Sequence, residues 1–239
     1  AQAALNGAFT DPATWGEPPA KPGLPENPPS IRHLFVFPPK DSSEVEVLRG
    51  PNIVPLEQFP ALAEKIETTV QLKTGDNITT DHIMPAGAQI TALRSNVPAI
   101  SEYVFSRVDA EFVGRIKGSG GIILGGENYG QGSSREHAAL APKHLGVVAV
   151  VVKSLARIHR ANLVNFGILP LILADGSDYG RLEQGQPVSI DTTTITAGGE
   201  SKIELAGADP VRVTNDLTEH ELAIIQAGGL LNYVRQSRG

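Results

Sequence analysis

From about Thr68 to the C-terminus, short apolar runs alternate with longer stretches of mixed polarity, the pattern of a mixed α/β domain. Residues 122–124, 147–152 and 169–173 are β-branched or leucine-rich and bounded by glycine or proline, so they are expected to be buried strands. Between them, residues 134–143 and 155–166 read as helices, the first stopped by Pro142 and Gly146, the second by Gly167. The order is strand, helix, strand, helix, strand. After Gly180, residues 188–190, 202–205 and 211–213 are weaker strand candidates. A last helix begins near Thr218, where Thr218 and Glu221 have the spacing of a capping box.

The first part of the chain follows a different pattern. Of the 18 prolines, 12 fall within the first 60 residues, most densely over residues 18–29. Each proline fixes φ and removes a backbone donor, so this segment is expected to run as an extended arm. Within it, residues 31–37 and 45–48 are expected as short strands ended by Pro38 and Gly50, packing on a body rather than forming one. The expected organisation is a proline-rich linker arm over residues 1–67 and a domain over residues 68–239. A length of 239 residues suits one full domain with an arm, or two small ones.

Composition narrows the functional classes. Hydrophobic residues at 41% and charged residues at 19% supply a proper core and argue against global disorder. The formal charge of -6 leaves no overall basic footprint for phosphates, so nucleic acid is not the default partner. There is no cysteine, which excludes disulfides, a cysteine nucleophile and any metal held through thiolates of this chain. The longest apolar stretch, residues 147–152, is far short of the roughly 18 residues that span a bilayer. No basic region followed by an apolar one opens the chain, so neither a membrane anchor nor a secretory signal is expected.

Two segments concentrate residues with chemistry. Residues 118–137 form an expected strand flanked by glycine-rich loops and leading into a helix, with eight glycines between Gly114 and Gly132. Ser133 and Glu136 have the S-x-x-E spacing, which predicts Ser133 at a helix N-cap, where N–H groups and the dipole favour an anion. A phosphate cradle is disfavoured because Gly132 is followed by Ser133 and Ser134, not by the P-loop lysine. A carboxylate or oxyanion site fits better, with Arg135 supplying a bidentate fork. The second segment, residues 75–87 followed by Arg94, crowds Thr, Asp and Asn into a turn and reads equally as an Asx-rich loop before a helix or as part of a site. Asp81 and His82 are adjacent, so in an extended segment they point to opposite faces and do not share a metal.

At these two segments the sequence resembles the aconitase family. Residues 126–142, GENYGQGSSREHAALAP, resemble that family's serine-loop signature along its length, and residues 79–83, TTDHI, resemble its threonine-aspartate segment. Residues 153–163, KSLARIHRANL, and 38–43, PPKDSS, extend the likeness over most of the chain. The resemblance implies a swivelling β/β/α domain of the aconitase C-terminal type, preceded by its linker, forming one wall of a cleft. It implies that a 4Fe-4S cluster lies on partner domains 1 to 3, since this chain has no cysteine to hold one. The implied reaction is citrate to isocitrate through cis-aconitate, in the cytoplasm or the mitochondrial matrix, with the chain inactive when separated from the cluster-bearing domains.

By the same resemblance Ser133 is the catalytic base, acting as an alkoxide, and Arg94 and Arg135 bind substrate carboxylates. Ser134 belongs to the same site, and Thr80 and Asp81 line it as polar and proton-relay groups. His137 and His159 are expected as hydrogen-bonded structural residues, and Arg157, Arg160 and Asn162 as ties between their helix and nearby loops. The rival readings are a homoaconitase or an isopropylmalate dehydratase small subunit, which is naturally a separate chain. Tyr129, Gln131 and residues 138–140 look more like aconitase. RNA binding is a further alternative, opposed by the acidic charge, and a third is an inert fragment that only docks onto its partner domains.

Overall fold

The computed structural model describes residues 1–17 and 20–238; Pro18 and Pro19, which open the dense proline stretch, lie outside the described residues. The chain divides into two units, Ala1–Val47 and Leu48–Gly239. In the first, α1 (Gln2–Asn6) ends at Gly7 in the left-handed region, and 3-10 turns form at Pro12–Thr14 and Arg32–Leu34. Residues 20–29 are neither helix nor strand, as their prolines dictate. The strands expected at 31–37 and 45–48 do not form. A strand needs a neighbour for its N–H and C=O groups, and within the first unit residues 31–35 instead close a 3-10 turn.

The second unit is built on seven strands: β1 (Lys65–Lys73), β2 (Gly121–Gly125), β3 (Val147–Val152), β4 (Leu169–Leu173), β5 (Pro187–Asp191), β6 (Glu200–Leu205) and β7 (Ala208–Thr214). They close into a barrel in the order β1, β2, β3, β4, β7, β6, β5. β1 to β4 pair in parallel, and the remaining pairings, including β5 back onto β1, are antiparallel. Parallel strands require covered crossovers. α2 (Thr80–Ile83), α3 (Ala88–Thr91), α4 (Val97–Ser101) and α5 (Phe112–Ile116) lie between β1 and β2, α6 (His137–His144) between β2 and β3, and α7 (Arg157–Asn165) between β3 and β4. α8 (Glu219–Gln226) and α9 (Leu230–Arg238) close the chain.

This topology explains the two hydrophobic patterns. β2 and β3 are buried on both faces and read as apolar runs: Ile122, Leu124, Ala149 and Val151 join the core shared by all seven strands, while Ile123, Val150 and Val152 pack under the helices. β5, β6 and β7 have one solvated face and therefore alternate, which is why their signal is weaker. β1 begins at Lys65, so the boundary expected at 67 falls inside a strand. The alternation of Ile66, Val70 and Leu72 with polar neighbours marks it. Residues 53–64 are tied to the same unit: Val54 N–H donates to Ser95 O (2.9 Å), Leu62 N–H to Gln226 O (3.0 Å), and Glu64 O accepts from Thr192 N–H (2.9 Å).

Two helix boundaries differ from expectation. α6 starts at His137 with Glu136 as N-cap and no side-chain cap, so the box of Ser133 and Glu136 does not form, and it runs through Pro142 to His144. α7 starts at Arg157, two residues after the expected start, with Ala156 as N-cap. The capping box of Thr218 and Glu221 is present, but Gly228 and Gly229, both at positive φ, break the last helix into α8 and α9. Among the described residues no helix is long and apolar enough to cross a membrane.

Candidate functional site

Loops that follow neighbouring parallel strands emerge side by side at the strands' C-terminal ends, the usual ligand position in α/β sheets. Here the loop after β1 (residues 74–79) runs beside the loop after β2 (residues 126–136), and backbone bonds lace them together. Gly126 N–H donates to Gly75 O (3.1 Å), Asn77 N–H to Glu127 O (2.7 Å), Gly130 N–H to Ile78 O (2.7 Å) and Thr80 N–H to Gln131 O (2.8 Å). Side chains continue the lacing: Asp76 Oδ1 accepts Glu127 N–H (2.7 Å), and Asn128 Nδ2 donates to Asn77 Oδ1 (3.0 Å). The approach is close enough that a Cβ on Gly126 would lie 2.0 Å from Asp76 Oδ1. Asn77 and Asn128 both hold φ above +50°, a conformation asparagine tolerates better than most residues. The two chemistry-bearing segments read separately from the sequence therefore form one rigid assembly.

This assembly explains why Ser133 is not an N-cap. Its carbonyl accepts the Thr80 hydroxyl at 2.9 Å, and Arg135 swings to pair with Asp81, so residues 133–136 follow the neighbouring loop and the helix starts after them. Tertiary contacts override the local capping signal. A consequence is that, among the described residues, the backbone N–H groups of residues 133–137 have no hydrogen-bond partner.

A cavity of about 260 Å³ opens here, lined among others by Arg94, Ser133, Ser134, Arg135, Glu136 and His137. The structure thus brings together four of the six expected site residues on its wall. Asp81 joins through its ion pair with Arg135, whose hydrogen bond holds the Asp81 carboxyl below the usual carboxylate range. Thr80 is different: it is 2% exposed, absent from the wall, and spends its hydroxyl on Ser133 O. It positions the serine rather than lining the cavity. Arg94 is exposed; its Nε donates to Thr91 O (3.3 Å), and its carbonyl lies 2.8 Å from His137 Nε2, the hydrogen bond expected of that histidine. Sequence reasoning missed the apolar side of the cavity, formed by Met84, Pro85, Ala86, Ile90 and Ile100. Nothing local marks these as cavity residues rather than core.

His82 Nδ1 accepts Thr79 N–H (3.1 Å) in a capping box. Among the described residues no group of three His, Cys, Asp or Glu could hold a metal ion, and the chain has no thiolate, so its side chains do not fit an iron-sulfur cluster. His159 departs from expectation: it is 1% exposed, yet neither ring nitrogen has a hydrogen-bond partner. Arg160 ties α7 to the following region through Asp216 (2.5 Å) and Glu221 (2.7 Å). Arg157 and Asn162 make no side-chain hydrogen bond among the described residues.

The barrel carries three parallel crossovers, with Ser133, Arg135 and Arg94 gathered on one cavity beside them, and comparison with known proteins places the chain in a family. The family model of the aconitase C-terminal domain matches residues 64–176. A mitochondrial aconitate hydratase from Gracilaria gracilis is 32% identical over 238 residues, covering 86% of this chain and 30% of that protein. The 3-isopropylmalate dehydratase small subunit 2 of Archaeoglobus fulgidus is 37% identical over 171 residues, covering 69% of this chain and 92% of that protein. The crystal structure of a 3-isopropylmalate dehydratase from Methanocaldococcus jannaschii superposes with a TM-score of 0.61 at 30% identity, covering 73% of this chain and 95% of that one. The chain belongs to the aconitase C-terminal domain family. It spans 30% of the length of the aconitate hydratase, 92% of the Archaeoglobus fulgidus small subunit and 95% of the Methanocaldococcus jannaschii chain.

Proposed function

We propose that this chain is the base-bearing half of a hydro-lyase that moves water reversibly across two adjacent carbons of a hydroxylated polycarboxylate. The observation that carries this reading is the single cavity lined by Ser133, Ser134, Arg135 and Arg94. Ser133 Oγ takes the proton from the carbon beside a carboxylate, the C–H electron pair becomes the new double bond, and hydroxide leaves toward an acid on the partner domains. In the reverse direction Ser133 returns the proton. A serine hydroxyl resists ionisation, so its alkoxide needs nearby positive potential; the Arg135 guanidinium on the same cavity wall supplies it. Substrate carboxylate competes with Asp81 for Arg135, a planar fork that lysine cannot imitate. The cluster that serves such enzymes is assigned to the partner domains, and the chain alone is inactive.

Two substrate readings follow, each with its own support. A tricarboxylate such as citrate or isocitrate suits a cavity with two guanidiniums, and the likeness to aconitate hydratases extends into the region before β1. Isopropylmalate suits the apolar side formed by Met84, Ala86, Ile90 and Ile100, and the near-complete match to isopropylmalate dehydratase small subunits favours it further. On that reading the chain is a separate small subunit. The test is turnover of cis-aconitate and of isopropylmalate by the chain mixed with a cluster-bearing partner, with Ser133→Ala as control. We expect turnover of one substrate and a fall of about 10³-fold or more in kcat for Ser133→Ala, with KM little changed because the base acts in the transition state. Ordinary kcat in Ser133→Ala would remove the assigned base, and the preferred substrate decides between the readings.

A further inference from the structure

His159 is enclosed at 1% exposure with both ring nitrogens unpartnered, an arrangement that costs stability and that a phenyl ring of similar outline would avoid. Its surroundings show what the ring supports. It lies in the first turn of α7, and the segment feeding that helix is tied to the serine loop. Asn128 N–H donates to Ser154 Oγ (2.7 Å), Tyr129 N–H to Ser154 O (3.0 Å), and Ala156 N–H to Tyr129 O (2.8 Å). The ring stands 5.5 Å from that of Tyr129, which is itself 1% exposed. Gly130 rests directly on it. A Cβ there would fall 2.2 Å from His159 Cδ2 and 2.3 Å from Cγ, and φ is +81°. Three residues beyond that contact comes Ser133.

We propose that His159 is a positioning residue for Ser133, a wedge beneath Gly130 that sets the height at which the serine loop crosses the strand ends. Its role is to fill space with a flat ring; burial pushes its pKa down to about 4, so the ring stands uncharged against Tyr129 and the loop backbone at neutral pH. The wedge is independent of the hydro-lyase reading; only its effect on turnover rests on it.

The experiment compares wild type, His159→Phe and His159→Ala, first by amide exchange on the full chain. In His159→Ala the hydrogen-bonded amides of Asn128, Tyr129 and Gly130 should exchange about tenfold faster or more, while those of β3 and β4 keep their protection. His159→Phe, which keeps a flat ring, should stay within about threefold of wild type. With a cluster-bearing partner, His159→Ala should lower kcat about tenfold or more with KM within about threefold, and His159→Phe should retain turnover. Faster exchange spread evenly over the barrel would reduce His159 to an ordinary core residue and overturn the proposal. Loosening by phenylalanine equal to that by alanine would overturn it too. If His159→Ala does not fold, His159→Leu replaces it: selective loosening of the loop upholds the wedge, and unchanged loop exchange overturns it. Loop exchange that behaves as expected in a chain that never supports turnover would refute the hydro-lyase reading and leave the wedge standing.

Discussion

Thr80 holds the carbonyl of Ser133 at 2.9 Å from a position 53 residues earlier in the chain, and that bond links the two loops at the residue proposed as the base. Thr80→Val removes the donor while keeping the branched shape, leaving a carbonyl without its partner, at a cost of about 1–3 kcal/mol where such a group is buried. We expect kcat to fall about tenfold with a smaller change in KM, because the loss acts on the placement of Ser133 rather than on substrate contacts. Steady-state kinetics with unchanged kcat would show that the bond has no catalytic role. The resemblance to the aconitase family singled out Ser133, Ser134, Arg135 and Arg94, and the structure gathers these four on one cavity. The contact of Thr80 could not be read from the sequence, since a threonine in a crowded turn has many local uses and its actual partner lies on another loop.

The elements divide by how local their causes are. β3 and β4 form over the expected residues because an apolar run between glycines or prolines leaves little choice, and α8 starts at Thr218 because its capping box is satisfied within the turn. α6 shows the opposite: the same S-x-x-E spacing fails at Ser133 because Thr80 and Asp81 engage the residues that would have formed the cap. The tie between α7 and α8 makes a prediction on the same scale. Glu221 caps α8 and pairs with Arg160, and its carboxyl is pulled down to about 2, first by the hydrogen bond from Arg160. A carboxyl with a lowered folded-state pKa stabilises the fold fully above its unfolded value of 4.5, and that stabilisation is lost as pH falls toward 2. Glu221→Gln keeps one acceptor oxygen for the Thr218 N–H but removes the charge and the second oxygen that accepts from Arg160. It should cost roughly 1–3 kcal/mol at pH 7, with the difference from wild type shrinking as pH falls from about 4.5 toward 2. Denaturant titrations at several pH values would reveal this, and a difference independent of pH would refute it.

At the scale of the molecule, the proline pattern located the change of character but not its boundary, because prolines continue through Pro51, Pro55 and Pro60 into chain already bound to the larger unit. Residues 53–64 are held by Ser95, Gln226 and Thr192, by Asn232 Nδ2 on Phe59 O (2.7 Å), and by His144 Nδ1 on Glu57 (2.6 Å). Removing residues 1–47 should therefore leave Tm within about 2 °C of the full chain, whereas removing residues 1–64 should lower it by roughly 5–10 °C at 2–4 °C per kcal/mol. Equal Tm values for the two truncations, followed by circular dichroism, would show that residues 48–64 add nothing. The pairing of β5 back onto β1 has a consequence for the history of such chains. A sheet that closes on itself offers no unpaired strand for another molecule to extend, so it can be severed from a longer polypeptide without becoming a template for aggregation. The same module then matches 30% of one large protein and 92% of a small one.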